Sequence, residues 1–178
     1  IEESSLFLKN TRFLFISFGT ARIYRLVRNG KIVCNCHKVP AKEFTRELLK
    51  VEDIVHEYKK LFSDLKNFNP DLYLIFTVSP VRHWKDGPHG NQLSKSVLHL
   101  AIQSLLEEFE GNTDYFPSYE ILLDDLRDYR FYANDLLHPN EQGIQYIWEK
   151  FAIQYFNAKT LGQISAIEDI LKAAGHRL

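Results

Sequence analysis

The sequence contains no methionine and only two cysteines, Cys34 and Cys36, with one residue between them. That separation is poor geometry for a disulfide, so the cysteines do not argue for an oxidising compartment. Neither sign of charge dominates, with 22 basic residues against 23 acidic ones. No basic excess points to nucleic acid, and no acidic tail points to disorder. No apolar run approaches the span of a membrane helix, so neither a nucleic-acid nor a membrane partner is expected. Repeats and low-complexity segments are absent. A chain that starts at Ile1 without a methionine is expected to be processed or truncated at its amino end, and the lack of a visible signal peptide then carries little weight.

What is present is a hydrophobic content of 45% over 178 residues, enough for one domain, 1–178, with a sizeable core. Arg12 to Phe18 is a continuous apolar run ending at Gly19-Thr20, which predicts a strand buried on both faces. Asn29-Gly30 lies between two apolar runs, Ile23 to Arg28 and Lys31 to Asn35. Both of its residues accept positive φ, so a small β-hairpin is expected near 23–35. Pro40 and Ala41 open a region read as helical through Leu48, Val51, Ile54, Val55, Tyr58 and Phe62, with a break near Lys50. Asp71 to Val78 reads as a second buried strand, and 81–91 as a polar loop. A helix follows to Glu110, with Leu93, Val97, Leu100, Ala101 and Leu105 on one face. Tyr115 to Tyr119 reads as a third strand, Glu120 to Tyr129 as a short helix, and Asp135 to Pro139 as a loop. Asn140 has the chemistry of an N-cap for a helix reaching Phe156, and Leu161 to Ala174 suggests a last helix.

Strands alternating with helices imply an α/β domain with a parallel sheet. Three core strands are few for such a sheet, which leads to the expectation that strand–helix units precede Ile1. The fold expected is therefore a flavodoxin-like, three-layer α/β/α domain, represented by its C-terminal portion, with the hairpin added.

In open α/β sheets ligands sit outside the C-terminal ends of the strands. That rule brings together Ser17-Phe-Gly-Thr20, Ser79-Pro-Val-Arg-His83, and the loop holding Asp135 and His138. In Asp135-Leu-Leu-His138-Pro139 the carboxylate can fix one imidazole tautomer, leave the other nitrogen basic and stabilise the imidazolium that forms. The alternative is a turn-capping aspartate beside a surface histidine. Ser17 and Ser79 sit at strand ends, but neither occupies a Gly-x-Ser-x-Gly elbow. Cys34-Asn-Cys36-His37 has metal-ligand residue types but no second Cys pair, so no metal site is expected. On a strand, Asn35 and His37 share the face opposite the cysteines and could look into the site. Arg82 and His83 could hold an anionic or hydroxyl-rich substrate, or Arg82 could pair with Asp86 on the surface. Tyr129, Phe131 and Tyr132 could form a stacking wall for a sugar ring, with core packing the alternative for Phe131 above all.

Four stretches carry a family resemblance: His37 to Phe44, Thr77 to Gly87, Leu93-Ser-Lys95, and Asp128-Tyr-Arg-Phe-Tyr-Ala-Asn-Asp-Leu-Leu-His-Pro139. Over about Phe13 to Phe151 the chain resembles the bacterial GSCFA-domain family, which is similar to SGNH hydrolases. The resemblance implies an esterase or acyltransferase acting on O-acyl esters, carbohydrate esters included, with no organic cofactor. The family's Gly-Ser-Cys-Phe-Ala motif, whose serine matches the SGNH nucleophile, is absent from this sequence. Gly19 falls in the block that supplies oxyanion groups. Ala21 stands where that block usually has an asparagine, and Asn35 could replace it from the side. Asp135 and His138 match the SGNH acid–base block residue for residue. The alternative from another class is a non-catalytic binding or assembly module, favoured by Ala21 and by the missing nucleophile. The expected partner is a small-molecule or carbohydrate ester, and a homo-oligomer is left open.

Overall fold

A computed structural model describes residues 2–33 and 38–175. The chain forms two compact units, 1–120 and 121–178. Cys34, Asn35, Cys36 and His37, and with them the end of the expected hairpin, lie outside the described residues.

The first unit holds a parallel three-stranded sheet flanked by helices, a mixed α/β arrangement of the three-layer α/β/α kind. Its strands are β1 (Phe13–Phe18), β5 (Tyr73–Val78) and β6 (Thr113–Phe116), in the order β1-β5-β6. Phe13 pairs with Tyr73 and Phe18 with Val78, while Leu74 pairs with Thr113. Central β5 is buried on both faces, with Leu74, Ile75, Phe76 and Val78 all nearly inaccessible. That is the burial expected of a parallel strand between two neighbours. β1 departs from the expectation. It is an edge strand, and Phe13, Phe15 and Ser17 leave one of its faces open. An unbroken apolar run cannot reveal this, because it reads the same for edge and central positions.

The remaining strands, β2 (Arg22–Leu26), β3 (Ile32–Val33) and β4 (Phe44–Leu48), form a small antiparallel sheet in the order β3-β2-β4. Asn29-Gly30 makes the turn between β2 and β3, with Gly30 at φ 68° and Leu26 N donating to Lys31 O. β4 corrects the helical reading of the segment after Pro40. Ala41–Glu43 is one 3-10 turn, Phe44–Leu48 is extended, and helix α2 (Val51–Phe68) begins only after Lys50. Leu48 had merely fallen in phase with the α2 stripe. Pairing of Leu26 to Arg22 against Phe44 to Leu48 decided the conformation, as tertiary context does for short segments.

Three more helices complete this unit: α1 (Glu2–Asn10), α3 (Gly87–Glu108) and the single turn α4 (Ser118–Glu120). Asn69, buried before β5, donates from Nδ2 to Leu8 O and Thr11 O and so ties down the end of α1. Phe18, Tyr58 and Phe76 meet with centroids 4.9 to 6.1 Å apart and join β1, α2 and β5. Phe62 stacks on Phe109 at 3.8 Å and joins α2 to the end of α3. The inward face of α3 is Asn91, Ser94, Lys95, Leu98, Ala101, Ile102 and Leu105. The sequence reading chose a stripe about a quarter of a turn away: its Ala101 and Leu105 are buried, but its Leu93 and Leu100 are exposed. Polar residues at the amino end of the true stripe disguised it.

Lys95 is the unusual member of that face. It is 1% exposed, and its Nζ donates to Gly19 O at 2.7 Å and Ser79 O at 2.6 Å. These carbonyls immediately follow β1 and β5, so one ammonium pins both strand ends. Burial pushes the Lys95 amine down to about 8.

The second unit begins with a π-helical turn, Ile121–Leu126, followed by a 3-10 turn, Tyr129–Phe131, and helices α5 (Glu141–Tyr155) and α6 (Ala158–Gly175). Leu122, Leu126 and Tyr132 form its buried cluster, against which Phe131, Tyr146 and Ile147 pack. Among the described residues no helix is long and apolar enough to cross a membrane.

Lys95 has a testable pH signature. Its folded value, about 8, lies below the ordinary 10.5, so between these limits the unfolded chain binds the proton more strongly. The Lys95 contribution to stability is therefore lowest below pH 8 and rises as pH increases from 8 towards 10.5, by an amount on the order of a few kcal/mol. Denaturation midpoints across that window should climb in the native chain relative to Lys95→Met, and parallel pH profiles would disprove the assignment.

Candidate active site

The strongest constellation in the second unit is local. Leu136 turns the chain with φ 57°, and Leu136 N donates to Ala133 O. A left-handed leucine costs about 1–2 kcal/mol, and such strain concentrates where a site needs it. Ala133 N donates to His138 O, and Tyr132 and Pro139 form an antiparallel bridge, closing the loop. Asn140 caps α5 by accepting from Gly143 N, and its Nδ2 donates back to Arg130 O at 2.6 Å. Gly143 leaves room for this arrangement, since a Cβ there would stand 2.9 Å from Phe131 O.

Inside the loop Asp135 Oδ1 accepts from the backbone N–H of Leu137 at 2.9 Å and of His138 at 3.0 Å. Its Oδ2 lies 2.6 Å from His138 Nδ1. These bonds, the His138 and Leu137 amides first and the imidazole next, hold the Asp135 carboxyl down at about 2. An ionised carboxylate can only accept, so the proton of a neutral His138 sits on Nδ1. Nε2 is left with its lone pair, on a side chain 58% exposed. Thus Asp135 both caps the turn and orients the ring, joining two readings that the sequence offered as alternatives. The sequence of the second unit has one serine, Ser165 on α6, and among its described residues no side chain hydrogen-bonds Nε2.

A family model described as the GSCFA family matches residues 1–151. The chain belongs to the GSCFA family. No curated protein matches it.

Other residues singled out in the GSCFA sequence fall elsewhere. Tyr132 is 8% exposed and belongs to the cluster of the second unit, whereas neighbouring Tyr129 is exposed. In the first unit Gly19 and His83 meet, because a Cβ on Gly19 would lie 3.4 Å from His83 Nε2. His83 N donates to Asn91 Oδ1 at 2.9 Å. Burial, with the Lys95 and Arg46 charges adding to it, lowers the His83 imidazole, so it is neutral near pH 7. Arg82 is half-buried. The partners of Asp86 are Arg46, bidentate at 2.5 and 2.9 Å, and Arg22 at 3.3 Å. Ala21 is 1% exposed and its N–H donates to Ser94 Oγ at 2.7 Å, so this position presents no free donor. Asn35 and His37 lie outside the described residues. Among the described residues no group of three or more His, Cys, Asp or Glu is placed to hold a metal ion.

Sequence reasoning missed Lys95, Ser94 and Asn91, which organise the ends of β1 and β5. The signal was present: positions 91, 94, 95, 98, 101, 102 and 105 repeat at helical spacing, so polar and apolar members share one face. It also missed a second carboxylate–imidazole pair. His99 Nδ1 faces Lys95 O at 2.8 Å, and its Nε2 lies 3.1 Å from Glu120 Oε1. The Glu120 carboxylate raises this imidazole above its ordinary value. A cavity of about 1020 Å³ between the small sheet and α2 is lined by Ile23, the Arg25–Glu47 pair, Leu48 and Tyr58, and by none of the candidate site residues that the structure describes.

Two outcomes follow. The Asp135 carboxyl should titrate near pH 2 by carbon-detected NMR, and the loop order it supports should be full above about pH 4 and lost as pH falls towards 2. A midpoint near 4 would contradict the capped geometry. Gly143→Ala should destabilise the second unit by about 1–3 kcal/mol and shift the His138 resonances, because the new methyl meets backbone.

Proposed function

We propose that the protein is an SGNH-type esterase or acyltransferase that acts on O-acyl esters, carbohydrate esters included. The observation that supports this reading is the Asp135–His138 pair, with Nδ1 held by the carboxylate at 2.6 Å and the side chain that carries Nε2 exposed. In the proposed reaction a serine hydroxyl outside these 178 residues attacks the ester carbonyl. His138 Nε2 takes the hydroxyl proton as the C–O bond forms, and Asp135 stabilises the imidazolium. The imidazolium then returns the proton to the leaving alkoxide as the ester C–O bond breaks. Water or an acceptor alcohol reverses the sequence on the acyl-enzyme. Family membership favours this chemistry, and the resemblance assigns the acid–base roles to these two residues.

A second reading is a non-catalytic binding or assembly module. It is favoured by the buried Ala21, whose N–H is already bonded to Ser94, and by the lack, among the described residues of the second unit, of a hydroxyl hydrogen-bonded to Nε2. Activity decides between the two. The full-length protein should hydrolyse p-nitrophenyl acetate, and His138→Ala should lower kcat by about 10²–10⁴-fold, the usual worth of a positioned general base. Asp135→Asn should lower it as well, since the ring loses its orienting charge. Turnover unaltered by His138→Ala would remove the histidine from the mechanism and leave the module.

A further inference from the structure

Ala21 offers no donor to the proposed chemistry. Its N–H is committed to Ser94 Oγ at 2.7 Å, and the residue is 1% exposed. The block that by resemblance supplies oxyanion groups therefore has backbone donors only. Among the described residues the N–H groups of Gly19 and Thr20 donate to no acceptor. A side-chain donor has to come from another element.

Asn91 is an amide side chain placed for it. It lies on the inward face of α3, four residues before Lys95, so the two are neighbours along the helix, about 5–6 Å apart at Cβ. Lys95 Nζ holds Gly19 O at 2.7 Å. His83, whose backbone N–H donates to Asn91 Oδ1 at 2.9 Å, has its ring against Gly19. Asn91 is thus tied to the end of β1 through both Lys95 and His83.

The amide is also oriented. A backbone N–H can bond only the oxygen of a carboxamide, so the bond from His83 fixes Oδ1 and turns Nδ2 the other way. The residue is 5% exposed, which leaves little room for a second rotamer. Nδ2 carries two N–H donors, and among the described residues it donates to no acceptor. It is not one of the fully enclosed unbonded side-chain atoms, so it reaches accessible surface. A buried carboxamide clamped at its oxygen and open at its nitrogen is a preorganised donor.

We propose that Asn91 is the side-chain donor of the oxyanion site, the role that Ala21 cannot fill. The inference rests on the esterase or acyltransferase reading. As the serine oxygen bonds the carbonyl carbon, the π pair moves onto the carbonyl oxygen. Asn91 Nδ2 donates a hydrogen bond to that oxygen without giving up its proton. When the leaving group departs, the pair returns to the carbonyl and the hydrogen bond weakens. An interaction that strengthens as charge develops lowers the barrier more than it tightens substrate binding, so its loss falls on kcat rather than on KM.

The test is hydrolysis of p-nitrophenyl acetate by the full-length protein, with Asn91→Asp and Asn91→Ala set beside the native protein and His138→Ala. Aspartate keeps an oxygen for the His83 N–H and removes only the donor. Both Asn91 variants should lose about 10²–10³-fold in kcat, with KM changed by no more than about threefold. A residue that merely held His83 in place would lose activity in Asn91→Ala and recover it in Asn91→Asp. That recovery, or an unchanged kcat in either variant, overturns the proposal. If the variants fail to fold, the native protein carries the test. Its adduct with a p-nitrophenyl alkylphosphonate sets a phosphoryl oxygen where the oxyanion forms, and the Asn91 Nδ2 protons should move downfield in the NMR spectrum of that adduct. Resonances that stay in place overturn the proposal. A native protein without turnover, or turnover unaltered by His138→Ala, removes the esterase reading and this inference with it. Turnover that depends on His138 but not on Asn91 removes the inference alone.

Discussion

The ammonium of Lys95 sits between the carbonyls of Gly19 and Ser79, and much of the first unit is arranged around that placement. Removing a charge from water costs several kcal/mol, and here two short charge-assisted bonds to backbone offset it in place of a carboxylate. The bonds join α3 to the ends of β1 and β5. Ser94, one residue earlier, binds the hydroxyl of Thr20 and the N–H of Ala21, so a single turn of α3 determines the course of the chain as it leaves the sheet. Thr20 and Ala21 lead directly into β2. The small sheet, the Arg22 and Arg46 contacts to Asp86, and the position of His83 beside Gly19 all follow from where that turn stands.

The second unit solves a smaller problem by different means. Its candidate chemistry lies on an exposed loop, so it cannot rely on burial. Precision comes from hydrogen bonds between near neighbours: the Asp135 cap, the bridge from Tyr132 to Pro139, and Asn140 bonded both to α5 and to Arg130. Behind the loop, Tyr132 anchors it to Leu122 and Leu126. One carboxylate both stiffens the turn and fixes the orientation of the imidazole. His99 shows the contrast, since both of its ring nitrogens face protein oxygens, Lys95 O and Glu120 Oε1.

How far each feature could be read from the residues depended on how local its cause was. The hairpin at Asn29-Gly30, the N-cap at Asn140 and buried β5 arise from neighbours in sequence or from short apolar runs, and they appear where they were expected. The Asp135–His138 contact spans three residues and was legible for the same reason. β4 was not, because Phe44 to Leu48 becomes a strand only through pairing with β2, a partner some twenty residues away. The inward face of α3 was misjudged by about a quarter of a turn. Hydrophobicity could not recognise Asn91, Ser94 and Lys95 as interior positions, for their partners are backbone groups at the ends of other elements.

The residues by themselves determined the class of the fold, the order of its main elements and a histidine held by its own aspartate, since periodicity, turn chemistry and three-residue spacing all act along the chain. Tertiary structure alone decided which face of α3 is buried, that Asp86 belongs to Arg46 and Arg22, and that Lys95 joins the ends of β1 and β5. Those outcomes depend on groups 40 to 76 positions apart meeting across packed elements, where desolvation rather than local propensity sets the cost.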